Sequence, residues 1–185
     1  LARKNPYLFN LTDGRVLILG GVQKKYPPST TLYSIQPEIY NPIDGSFTLL
    51  STYHNGQSNH PWMPEVVRAI QMSDGRIFIL SGTFDSAVLD PITGDIFTSA
   101  STLYSRTSAA LTSLSGGRIL LVGGDGSPAS AEVFNPSGSS RGFNIYLRQS
   151  SDLAGTSTLL DSALTEGRYS DMSTTVLADG RIMFS

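Results

Sequence analysis

Short unbroken apolar runs punctuate this chain, each set off by Gly, Asp, Asn or Pro. Val16–Leu19, Ile77–Leu80 and Ile119–Val122 are the clearest. Four apolar residues in a row, without alternation, predict a strand buried on both faces. Each run follows a glycine turn: Asp13-Gly14-Arg15, Asp74-Gly75-Arg76 and Gly116-Gly117-Arg118, with a fourth copy at Asp179-Gly180-Arg181 before Ile182-Met183-Phe184. Asp-Gly between apolar runs predicts a β-hairpin closed by a primed turn, because such turns need positive φ. The partner strands are then Tyr7–Leu11, Val67–Met72, Ser108–Leu114 and Ser173–Leu177.

A second mark recurs in the same order: Pro37-Glu38-Ile39-Tyr40-Asn41-Pro42, Ala87-Val88-Leu89-Asp90-Pro91 and Ala131-Glu132-Val133-Phe134-Asn135-Pro136. It predicts a third strand. The turns Asn41–Gly45 and Asp90–Asp95 lead to a fourth, such as Ser46–Leu50, with Pro presetting φ and Gly supplying a positive value. The turn glycines Gly14, Gly75, Gly117 and Gly180 are 61, 42 and 63 residues apart. Four antiparallel strands repeating every 40–60 residues predict an all-β fold, a β-propeller of four-stranded blades.

In the order of these marks the chain resembles Kelch repeats, of the kind found in bacterial Kelch proteins and in the central domain of galactose oxidase-like proteins. The resemblance covers nearly all of it. It implies blades at 5–50, 66–98 and 106–147 and the start of another at 170–185, about three and a half blades. Propellers close with about four to eight, so the chain is expected to be part of a larger propeller. The remainder would come from the same or another chain, or from self-assembling copies. Similarity to galactose oxidases would also imply copper held by His and Tyr, with a Tyr crosslinked to Cys. The tracts around Arg106 and Arg168 lack the His that often accompanies such repeats, and the chain has no Cys.

Composition narrows the function. Hydrophobic residues are 39%, enough for a core, and 42 of the 185 residues are Ser or Thr, which disfavours long helices. With 13 basic and 15 acidic residues there is no polycationic face for nucleic acid. No stretch approaches the 18 apolar residues of a membrane helix. Lack of Cys excludes disulfides, zinc–thiolate sites and Cys nucleophiles. No Gly-x-Ser-x-Gly elbow appears at a strand-to-helix turn.

Antiparallel order sends the first-to-second and third-to-fourth connections to one rim, where turns are tight. The other connections go to the opposite rim, which takes the long segments 22–36, 51–65 and 149–169. Binding residues concentrate on such loops. Lys24 and Tyr26 lie in the first; Tyr53, His54, Asn59, His60 and Trp62 lie in the second. Rings beside amides suit a sugar face or a protein anchor. The plainer readings are ordinary loop polarity for His54 and His60, a solvated Lys24-Lys25 pair, and a packed loop anchor for Trp62 between Pro61 and Pro64. The turn arginines recur once per unit and read as architecture. The function expected is a non-catalytic protein- or glycan-binding module without a metal or other cofactor, in a secreted or cell-surface protein. The alternative is part of a copper-radical oxidase whose ligands lie elsewhere. Low Lys content (three residues) and a glycosylation acceptor at Asn10-Leu11-Thr12 fit the extracellular setting.

Overall fold

The computed structural model describes residues 3–21, 36–54, 57–61, 66–81, 85–144, 149–160, 164–167 and 173–184. They form an all-β structure with almost no helix. The first sheet comprises β1 (Tyr7–Asn10), β2 (Val16–Leu19), β3 (Glu38–Tyr40) and β4 (Phe47–Leu49), antiparallel and in chain order. A small hairpin follows, β5 (Tyr53–His54) and β6 (Gln57–Pro61). The second sheet repeats the first with β7 (Arg68–Gln71), β8 (Ile77–Ser81), β9 (Asp85–Leu89) and β10 (Asp95–Ser99). The third has β11 (Ala110–Ser113), β12 (Ile119–Val122), β13 (Ala131–Asn144) and β14 (Gln149–Leu159). A last hairpin pairs β15 (Thr174–Val176) with β16 (Ile182–Phe184). A single parallel bridge, Ser99 to Ala154, joins the outer strands of the second and third sheets. The described sheets do not form a closed ring.

The glycine turns differ from the expected primed form. Leu11 N–H donates to Arg15 O at 2.8 Å across a three-residue loop, and Gly14 alone takes positive φ, +84°. This is a type I turn closed by a left-handed glycine. Asp13 sets it: its carboxylate accepts the Arg15 N–H at 3.0 Å and Arg15 Nε at 2.8 Å. The same bonds recur at Asp74/Arg76 and Asp179/Arg181. In the third unit Gly116 replaces the aspartate, and the turn becomes a short 3-10 segment, Ser115–Gly117.

The first strands of successive units lie side by side in chain order. Gln71 Nε2 donates to Asn10 O at 3.0 Å, Ser113 Oγ to Gln71 O at 2.6 Å, and Thr174 Oγ1 to Leu111 O at 3.1 Å. Between the sheets lie two apolar layers. Leu17, Leu19 and Ile39 of the first sheet meet Ile77, Ile79, Ala87, Leu89 and Ile96 of the second. Phe78, Leu80 and Val88, on the other face of the second sheet, meet Ile119, Leu121 and Phe134 of the third. Successive side chains of a strand point to opposite faces, so the run in β8 feeds both layers and all five of its residues are buried. Each fully buried Ile, Leu or Phe contributes about 1.5–3 kcal/mol.

One segment departs from the expected connections. Gln149–Leu159, read as part of a long loop, is strand β14. Its end, Thr156–Leu159, supplies the fourth strand of the third sheet, paired to Glu132–Asn135. Its start continues beside β13 as far as Asn144, past an irregularity between Asn135 and Ser139. The third unit lacks the Pro-x-x-Gly turn that ends pairing elsewhere; after Pro136 comes Ser137-Gly138-Ser139-Ser140, and the ladder resumes.

Candidate functional site

The tight-turn rim spends its charges on itself. Arg15, Arg76 and Arg181 each bind the aspartate of their own turn at 2.7–2.8 Å. The hydrogen bonds from Arg15 hold the Asp13 carboxyl below its ordinary range. Between the first two units this rim has a solvent-open cleft of about 360 Å³, lined by Leu11, Thr12, Asp74–Arg76 and Asp90–Ile92. The Asp74–Arg76 pair is already internally satisfied, so the cleft offers little charge to a ligand.

The opposite rim is built on buried ion pairs. Arg106 and Glu132 have fully buried side chains and meet at 2.7 Å. Arg106 also donates to the carbonyls of Gly123 and Ser130 and, at 2.8 Å, to Ser130 Oγ. Its guanidinium lies 5.7 Å from the Tyr104 ring centroid. Glu132 accepts the Leu103 N–H at 2.8 Å, the Tyr104 N–H at 3.2 Å and Ser157 Oγ at 2.9 Å. The pair thus ties the 103–106 connection, the exit of β12, and strands β13 and β14 together. The first unit repeats it: Arg3 meets Glu38 at 2.5 Å and donates to Gly20 O at 3.1 Å and Gln36 O at 3.0 Å. Gly20 and Gly123 hold the same place after the second strand. In the second unit Ala87 stands where the glutamate would be.

Above the Arg106 clasp is the described polar part of this rim. Thr107 Oγ1 donates to Asp125 Oδ2. That hydroxyl first, then Ser108 and the charge of Arg68, lowers the Asp125 carboxyl below its usual range. Asp85, at the start of β9, is pushed the other way by burial. The result is a hydroxyl–carboxylate–guanidinium surface over a rigid base, suited to hydrogen bonding with hydroxyl-rich or amide ligands. Among the described residues no three His, Asp or Glu side chains come together as a metal site.

Lys24, Tyr26 and Trp62 lie outside the described residues. Tyr53 and His54 form β5, and Asn59 and His60 lie on β6, so these four share one hairpin. That hairpin departs from the expected rim. β5 runs parallel to the start of β10, Tyr53 beside Asp95 and His54 beside Ile96. This is the outer edge of the second sheet, next to the tight turn at Gly94. A Cβ on Gly94 would lie 2.1 Å from Ser51 O, which shows how closely the incoming segment packs. The free edge of β10 captured a segment that loop composition alone placed elsewhere. Thr107 and Asp125 were not singled out as site residues. Their signal was position: they flank the first and second strands of the third unit at the long-connection rim.

Fold and rim define an all-β protein of stacked four-stranded sheets, with one rim of short self-contained turns and one of longer connections. No protein-family model matches the chain, and no curated protein matches it. No described helix is long and apolar enough to cross a membrane.

Proposed function

We propose that the chain is a partial, Kelch-like β-propeller that acts as a non-catalytic binding module for protein or glycan, within a larger secreted or cell-surface protein. The observation that carries the propeller reading is the order of the first strands, β1, β7, β11 and β15, each hydrogen-bonded to the one before. Sheets stacked with one kind of face always against the other kind fit spokes about an axis. The hairpin β15–β16 corresponds to the first half of a further blade, which fits a ring continued by more sequence. The binding reading is supported by the Arg3–Glu38 and Arg106–Glu132 clasps, which hold the long-connection rim on a rigid base, and by the polar surface at Thr107, Asp125 and Arg68.

The test is a glycan array and a cross-linking pull-down with the chain, repeated with Trp62→Ala and Asp125→Ala. Each variant is expected to weaken binding about tenfold or more, as loss of an anchor residue does, with an unchanged melting temperature. Binding that falls only in proportion to the unfolded fraction, or no binding by the unaltered protein, overturns the reading.

A further inference from the structure

We infer that the ligand of the long-connection rim is an uncharged sugar, held by its hydroxyls between Arg68 of the second unit and Asp125 of the third. The inference rests on the binding-module reading and names the ligand class of that surface.

Strand β7 begins at the long-connection rim. The registers place Arg68 beside Leu80, and Leu80 beside Ser86. Arg68 therefore lies on the same face as Ile70 and Leu80, the face that packs against the third sheet. It is half-buried there. The turn and clasp arginines spend their guanidinium groups on acceptors within their own units. Arg68 hydrogen-bonds to no described residue. A guanidinium presents five N–H donors, and donors kept from water without a partner are costly. A ligand oxygen would supply what the described residues do not.

Asp125 stands across from it on the third unit, exposed and accepting the Thr107 hydroxyl. The charge of Arg68 is felt at its carboxylate, yet the two groups do not close an ion pair. The next residue holds Asp125 in place. Gly126 N–H donates to Ser105 O at 3.0 Å, and a Cβ on Gly126 would lie 2.6 Å from Ser105 N. The two connections thus pack at backbone distance, and the carboxylate is pre-organised. Donor and acceptor face each other, separate, with charges that cancel.

A hydroxyl fits this arrangement, because one oxygen accepts from a guanidinium and donates to a carboxylate. Adjacent hydroxyls on a sugar ring do so twice. An anionic ligand drawn to Arg68 would meet Asp125, and a cationic one drawn to Asp125 would meet Arg68, so charge complementarity selects an uncharged ligand. Tyr104, three residues before Thr107 on the same connection, is 38% exposed and adds an aromatic surface. An extended peptide would seek main-chain partners. Here the N–H groups of Leu103 and Tyr104 are taken by Glu132, and those of Ala109 and Gly126 by Arg106 O and Ser105 O. What remains is side-chain chemistry.

The test is an array of neutral oligosaccharides beside uronic- and sialic-acid glycans, probed with the 185-residue chain at about 0.05 and about 0.5 M salt, a range over which charge attraction is screened. Neutral glycans are expected to bind equally at both. Arg68→Gln and Asp125→Asn should each weaken that binding about tenfold or more, as loss of a hydrogen bond to a charged group does. Melting should be unchanged, and Ile43→Ser, on the opposite rim, should bind as the unaltered chain does. Preference for acidic glycans, or binding lost at high salt, overturns the inference. So does neutral-glycan binding that survives both Arg68→Gln and Asp125→Asn, or that falls only with melting. A protein captured by cross-linking, with every glycan silent, overturns the sugar but leaves the binding module standing. No binding of either kind overturns both.

Discussion

Arg106 and Glu132 are 26 residues apart in the chain, yet neither side chain has any surface in water. Desolvating both charges is costly, and the pair persists because nearly every polar atom has a partner. Removing one partner is therefore severe. Glu132→Ala is expected to cost about 3–5 kcal/mol in urea unfolding, because a buried guanidinium is left without its counter-charge. Adding Arg106→Met should restore only part of this, since Gly123 O and the N–H groups of Leu103 and Tyr104 would still lack partners. A loss below about 1 kcal/mol would mean that water reaches the pair. Both residues sit in tracts whose repetition is plain in the sequence. Their pairing was not, because it needs the third strand folded back beside the second. The available clue was internal: Glu38 and Glu132 each have an Arg ten residues before the turn position, Arg3 before Asp13 and Arg106 before Gly116. The second unit has Ala87 at the glutamate position and Pro64 at the arginine position. The turn arginines were legible because Asp and Arg, two residues apart in sequence, bond to each other through their side chains.

The strands of the three sheets follow from two local signals, apolar runs and glycine turns, and these act over a few residues. What escaped were β14 and the β5–β6 hairpin. Both are rich in Ser, Thr, Asn or Gln, and both are strands because a free ladder edge lies within reach, which composition does not encode. The same circumstance separates two otherwise matching turns. Gly45 and Gly94 both have positive φ, +72° and +81°. Nothing lies within 4 Å of a Cβ at Gly45, whereas Ser51 O would be 2.1 Å away at Gly94. Gly45→Ala is expected to cost about 1 kcal/mol, the backbone strain alone. Gly94→Ala should cost at least about 2 kcal/mol more, because the segment entering β5 must move and the β5–β10 pairing must break. Thermal unfolding of the two variants side by side checks this. Equal losses would show that the Ser51 segment yields freely. The site residues divide in the same way: Tyr53, His54, Asn59 and His60 were recognisable as a cluster, but the cluster's address depended on the edge that received it.

At the level of the whole molecule, stability is graded from the centre outward. Both faces of the second sheet are covered, and β8 is buried along its full length. The hairpin β15–β16 has two strands, exposes Val176 and Met183, and touches the third sheet through few groups, among them Thr174. Amide hydrogen exchange read by mass spectrometry should therefore find β8 slowest and β15–β16 fastest among the described strands, since protection follows burial and local cohesion. Protection of β15–β16 equal to that of β8 would mean that another surface covers the hairpin. This gradient was legible in outline, as the run Ile77–Leu80 already required apolar cover on two sides. The exposure of Leu8, Phe47 and Leu49 was not, because in the sequence they look like any core residues.

The middle sheet has Ala87 where its neighbours carry glutamate, so among the described residues it lacks their arginine–glutamate clasp and leans more on the walls on either side. A ribosome delivers β1–β4 first, already fastened by Arg3, and the middle segment emerges with a finished wall to lean on. Shuffling the gene so that this segment is made first would leave it an orphan until a wall arrived.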